Sequence, residues 1–446
     1  MQQDLEKALV KHSGGCEWVE QAFRPAVRAT RISASAAEVL LHPPNRNNTS
    51  AAEAAPFSSL TAGLKGLLHP LAPSALNPQS ARPCSLQSSR PGFGLMLVLA
   101  SALLLFGCGK AKQPSVQSFL TEPFPQKLSQ WHLFVDDKGQ RPNHGVLPYD
   151  LNTPLFSDYA AKHRFVWMPS GTAAQYRRDD VFDFPVGTIL VKSFGFPDGN
   201  GDEKLIETRL LVRGRDGWVG LAYVWNGKQT EARRELVPDP VPVSYQDSSG
   251  KRHAFTYYIP NANECKQCHE NSRVMLPIGP KARNLNKDYA YAEGAANQLM
   301  RWTQVGYLEG APAPPDAPKA ARWNAPESGT LEDRARAYLD NNCAHCHQPG
   351  ATAGYTGFDL RLTTTGLAAL GVCRSPNSAG RVGSLIYDLV PGKPEQSILV
   401  ARMESTRPKE MMPQIGRSQV HEEGVALVRE WVRSLPVEGA GCAQSR

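Results

Sequence analysis

The chain has 446 residues, 41% hydrophobic and 20% charged, with a formal charge of +7. That length holds two or three domains with cores of their own, and the composition excludes a disordered or fibrous chain. Nine basic and six acidic residues fall in the first 107. Neither they nor the rest of the chain form the dense Lys/Arg run of a nucleic-acid footprint, so no nucleic-acid partner is expected.

Residues 1–88 are rich in Ala, Ser and Pro and show no sustained period, as an extension outside the working protein would. Residues 89–107 then read as an export signal: Arg90 supplies the positive end, and Leu95 to Phe106 form an apolar run. The run is shorter than the roughly 20 residues a spanning helix needs and has the length of a signal-peptide core.

From 117 to 260 the chain alternates like strands. Gly187–Phe196, Glu207–Gly214 and Gly217–Gly227 are β-branched and aromatic runs separated by turn-rich pieces. Such spacing predicts an antiparallel sandwich or barrel. Trp131, Trp167, Trp218 and Trp225 are expected in its core and edges, and His132, His144 and His163 lack metal-ligand spacing. No catalytic motif is visible in it.

The next segment, 261–310, contains Cys265, Cys268 and His269 in "NECKQCHENS". Its end, Tyr291 to Gly310, predicts a helix with Ala295, Leu299, Trp302 and Val305 on one face, stopping at Gly306. Gly310 to Pro326 is Pro- and Ala-rich and reads as a spacer. A third segment, 327–436, opens with Thr330 as helix cap and Asp333 three residues on. Leu331, Ala335, Tyr338 and Leu339 form the stripe of that helix, which leads into "NNCAHCHQPG" with Cys343, His345, Cys346 and His347. A last helix buries Val425, Val428, Trp431, Val432 and Leu435 and ends at Pro436. The fold class expected overall is α+β and multidomain, a β-rich part followed by mainly helical ones.

CxxCH is the attachment pattern of c-type haem: two thioethers anchor the porphyrin and the adjoining His ligates iron. A zinc ribbon or a redox dithiol also uses CxxC, but the copies lie 78 residues apart and no βαβ pattern surrounds either. Two covalently bound haem c groups are therefore expected. Cys265, Cys268, Cys343 and Cys346 would be the anchors, with His269 and His347 as iron ligands. His345 would face outward. Cys373 and Cys442 are left as an even pair able to form a disulfide in an oxidising compartment.

Residues 330–436 resemble class I cytochrome c, in which a Met-Pro loop covers the second haem face. The resemblance aligns Met412 of "MMPQIG" with the sixth ligand, with Met411 as rival and Gln414 in place of a second proline. "CHENSRVMLPIGPKARNLN" is similar to the loop after the haem histidine in that family, which implies that the Pro280 carbonyl accepts from the His269 imidazole. For the first haem's sixth ligand Met275, Met300 and His253 stand as candidates, beside an open site. "LFGC", Leu105 to Cys108, resembles the bacterial lipobox, which implies a lipid anchor on Cys108 at the outer membrane. Residues 120–436 as a whole resemble uncharacterised bacterial dihaem cytochrome lipoproteins. That implies electron transfer with a redox partner protein on the periplasmic side of the envelope. The alternative is a dihaem oxidoreductase of peroxidase type, open at the first haem.

Overall fold

The computed structural model describes residues 113–437, apart from 137, 199–201, 248 and 378–379, and also Cys442. The chain divides into two units, 1–93 and 94–446, and all described residues belong to the second. The N-terminal extension, the export signal and Cys108 lie outside the described residues.

The alternating segments form strands β1 (Leu147–Tyr149), β2 (Ala161–Trp167), β3 (Ala174–Gln175), β4 (Ile189–Pro197), β5 (Glu203–Arg213), β6 (Trp218–Trp225), β7 (Ala232–Arg234), β8 (Val241–Gln246) and β9 (Arg252–Tyr257). Six of them make one antiparallel sheet in the order β1-β2-β4-β5-β6-β7. Its outer strands are three residues long and pair on one side only, so the sheet stays open. The expected barrel is corrected to this open sheet, and the class is mixed α+β.

Because side chains alternate, each face of the sheet has its own cover. Phe165, Val191, Leu210 and Leu221 stand opposite one another on neighbouring strands. They bury against Trp131 and Leu133 from the preceding segment. The other face is covered in two patches. Val166 and Leu190 pack on Leu285, Leu299 and Trp302, whereas Phe194, Phe196 and Ile206 pack under the β8–β9 hairpin. Each buried side chain of this kind contributes about 1.5–3 kcal/mol.

Helices follow: α1 (Ala262–His269), α2 (Ala282–Leu285), α3 (Gln298–Gln304), α4 (Leu331–Asn342), α5 (Ile398–Glu404) and α6 (Glu422–Ser434). The helix expected over 291–310 is shorter. Asp288–Tyr291 and Gly294–Asn297 form a hairpin turning at Gly294, whose φ of +126° suits glycine. The Asn297 side chain then caps α3 by accepting from Leu299 N. Leu299 and Trp302 are buried, but Val305 is exposed. Gly306 ends the helix with φ +76°.

The expected spacer at 310–326 is packed instead. Ala317, Ala320, Ala321 and Ala325 are buried, Ala320 N donates to Arg283 O and Ala321 O accepts from Thr153 Oγ1. Small side chains that read as linker composition allow close packing here. In the C-terminal part α4 has its expected cap, with Thr330 and Asp333 bonding reciprocally. It packs against α6, where an added Cβ at Gly424 would sit 2.5 Å from the Tyr338 ring. Val425, Val428, Trp431, Val432 and Leu435 are buried as expected. Cys373 and Cys442 are joined in a disulfide. Among the described residues no helix is long and apolar enough to cross a membrane.

Candidate functional site: two convergent CxxCH motifs

Helix α1 is the first motif. Asn261 caps it by accepting from Asn263 N and Glu264 N, while Glu264 returns the bond to Asn261 N. Within it, positions 265, 268 and 269 share one side by the i, i+3, i+4 rule. That side faces the sheet at Gly220, where a Cβ would lie 3.4 Å from Cys265 Sγ and 3.3 Å from Met275 Cε. A glycine there lets the helix approach β6.

His269 Nδ1 lies 2.7 Å from Leu276 O. A carbonyl only accepts, so Nδ1 carries the proton and Nε2 is left as a lone-pair donor. The acceptor expected at Pro280 is thus corrected to Leu276; Pro280 O accepts from Phe182 N instead. The short strand pair Glu270–Asn271 and Val274–Met275 folds the chain back and presents Leu276 to the ring.

The second motif begins where α4 ends. Cys346 N and His347 N both donate to Cys343 O, which winds Cys343–His347 into a tight turn. His347 Nδ1 is 3.3 Å from Thr356 Oγ1. That hydroxyl gives its own proton to Ala353 O, so it accepts from Nδ1, and Nε2 is again the free donor. Burial lowers both imidazoles to about 4, which keeps them neutral.

The two motifs meet. Cys346 Sγ and Thr352 Oγ1 both donate to Gln267 O, and Ser272 N donates to Gly350 O. The sulfurs of Cys268 and Cys346 and a ring nitrogen of His345 lie within 4.8 Å of one another. His345 was expected to face outward; it is 8% exposed, and its Nδ1 is buried with no hydrogen-bond partner. The turn that wraps Cys346 toward Gln267 carries His345 into the seam. Burial pushes the Cys343 thiol up to about 12. The Cys268–Cys346 hydrogen bond raises the Cys268 thiol and lowers that of Cys346, so Cys346 ionises first.

A cavity opens from each motif. The first, 170 Å³, is lined by Cys265, Cys268, His269 and Met275 and by sheet residues from β2, β4, β5 and β6. The second, 520 Å³, is lined by Cys343, Cys346, His347, Phe358 and, from a separate loop, Met412. His345, Cys268, Pro413 and Ile415 line both. Met411, the rival to Met412, is not among the residues lining either. Of the three candidates for the first site, only Met275 reaches the cavity. Met300 is 48% exposed on α3, and His253 pairs with Asp247 at 2.7 Å.

Arg417, which the sequence did not single out, holds the Met412 loop. Its buried guanidinium donates to the carbonyls of Met412, Gln419, Ser405 and Met403. With Arg402 O as a fifth acceptor, one arginine satisfies carbonyls at the end of α5 and in the loop that follows it. Nothing in "QIGRSQ" marks that role, because the acceptors are backbone atoms.

Compared with protein-family models, characterised proteins and solved structures, the chain matches none.

Proposed function

We propose that this chain is an exported dihaem c-type cytochrome that carries electrons in the bacterial envelope. The observation that carries the reading is the duplicated donor arrangement. Each CxxCH presents two cysteines beside a cavity, with an imidazole whose Nδ1 is engaged and whose Nε2 is free. Cys265 and Cys268 would hold one group and Cys343 and Cys346 the other, with His269 and His347 as iron ligands and Met412 as a further ligand at the second. At 520 Å³ the second cavity falls within the roughly 300–1,000 Å³ of cofactor sites. The first is smaller, and the fit there rests on its donor set. When bound, each haem iron would supply a reversible one-electron change.

The chain's own residues do the rest. Leu276 O and Thr356 Oγ1 orient the imidazoles, Arg417 anchors the Met412 loop, and Phe358, Leu360 and Ile398 exclude water from the second cavity. Cys268 and Cys346 set the two sites side by side. A helix leading into CxxCH and a last helix packed on it support a class I cytochrome c-like arrangement for 327–436. The Cys373–Cys442 bond suits an oxidising compartment. A lipid on Cys108 and a redox protein as partner complete the reading.

Intact mass of protein matured with a cytochrome c assembly system and extracted from membranes tests it. The expected mass is that of a chain starting at lipidated Cys108 plus two covalent haems, falling to one haem when Cys265 and Cys268 are changed to Ala. A chain without haem sinks the proposal.

The Cys268–His345–Cys346 cluster supports a second reading, a thiophilic ion such as zinc held between the motifs. Colourless protein with a stoichiometric metal by elemental analysis would favour it.

A further inference from the structure

Between the two apolar patches on one sheet face runs a row of charge. Arg164 on β2 stands opposite Lys192 on β4, and Lys192 stands opposite Arg209 on β5. Directly opposed residues have Cβ atoms about 4.5–5.5 Å apart, and like charges there are destabilising. All three line the first cavity. Lys192 Nζ and Arg209 Cζ lie 4.7 and 4.4 Å from the centroid of the same Phe194 ring. Lys162, two residues before Arg164 on the same face, adds a fourth basic group, which burial and the nearby Arg164 lower to about 7; its Nζ donates to a backbone carbonyl, Ala160 O.

The carboxylates present do not balance them. Asp150 is shared between Arg164 and Lys287. Glu207 bonds Arg209 and also accepts from Tyr257. Among the described residues Lys192 has no ion pair. Arg164 is 5% exposed, and its Nη2 is buried with no partner. The carboxylate of Glu264, which also lines the cavity, accepts from Asn261 N. Without an anion, burial and the neighbouring cations push the Lys192 pKa well down, and an anion beside the row would restore its charge.

We propose that the Arg164–Lys192–Arg209 row is an anion seat beside the Cys265–His269 motif, taking a carboxylate or a small oxyanion. The anion has two possible sources: the propionate carboxylates of the first haem, which rests on the reading above, or a free oxyanion entering the cavity. Arg164 and Arg209 suit two-point contact with a planar oxyanion, and Lys192 adds a point charge between them.

The test uses the full chain after haem content is counted by pyridine haemochrome, with Lys192→Gln and the charge-restoring Lys192→Arg. If the seat holds propionates, the resonance Raman propionate bending band of one haem moves in Lys192→Gln and returns in Lys192→Arg. Added phosphate or nitrite then leaves the wild-type Soret band unchanged. If it holds a free oxyanion, phosphate or nitrite shifts that band saturably, and Lys192→Gln weakens binding at least tenfold. Chloride at equal ionic strength would have no such effect. No change in either readout overturns the proposal. A chain carrying no haem would count against the haem reading alone. On that chain the seat predicts that phosphate raises the melting temperature of wild type more than that of Lys192→Gln, and equal shifts overturn it.

Discussion

His421 shows how a single polar side chain is held. Its ring stacks on Phe156 at 4.2 Å between centroids, meets Trp323 edge-on at 4.7 Å, and has Nδ1 2.9 Å from Tyr338 Oη. Burial lowers its pKa to about 4, against an ordinary 6.5. The unfolded chain therefore binds a proton there before the folded one does. The stabilising contribution is complete above pH 6.5, declines as pH falls, and is lost below about 4. At about 1.4 kcal/mol per pH unit that is roughly 3 kcal/mol. Urea melts from pH 7 to 4 should show wild type losing this much more stability than His421→Phe; parallel curves would refute it. Neither His421 nor His345 is legible in the sequence. His421 stands between Val420 and Glu422, and His345 inside the second motif. The surroundings of each are completed by segments distant along the chain, Phe156 and Tyr338 for one and Cys268 for the other.

At the scale of elements, α2 and α4 are bolted together. Arg283 donates from Nε and Nη2 to both oxygens of Asp340 at 2.9–3.0 Å. Leu362 N donates to the same carboxylate, and Lys281 stands 3.8 Å away. Beside it Asn284 and Asn341 exchange side-chain hydrogen bonds in both directions. This joint links the segment after the first motif to the helix before the second, and so sets their spacing. Asp340→Asn leaves Arg283 buried with its partner charge gone and only an amide oxygen to accept from it. It should cost about 3–5 kcal/mol in equilibrium unfolding; a loss under 1 kcal/mol would mean the joint does not hold the two segments. The helix itself was readable from Thr330, Asp333 and the apolar stripe, because capping and periodicity are local. The shortened α3 was not, since the hairpin before it forms by strand pairing.

At the scale of the molecule, the Cys373–Cys442 bond closes a loop of 69 residues around α5, the Met412 loop and α6. Cross-linking a loop of this size restricts the unfolded chain and contributes about 2–4 kcal/mol. Dithiothreitol should lower the melting temperature of wild type and leave Cys442→Ser, already lowered, unchanged. Equal sensitivity of both proteins would show that the bond adds nothing. The same scale explains why the packed 310–326 segment looked like a spacer. Its alanines are interspersed with prolines that break any regular element, and only the groove between the 281–287 segment and α4 gives them something to fill.

What the sequence by itself determined is what depends on neighbours along the chain: the two CxxCH motifs, the strand alternation, the caps of α4 and the inward face of α6. Spacing, periodicity and capping act within a few residues, so they are written in order. The tertiary structure decided the rest. It set the motifs edge to edge, turned His345 into their seam, gave His269 its Leu276 acceptor, and lined Arg164, Lys192 and Arg209 across three strands. The His269–Leu276 bond is set by a short hairpin over seven residues. The other outcomes depend on register and packing between segments tens of residues apart, where a one-residue slip would turn every side chain to the other face.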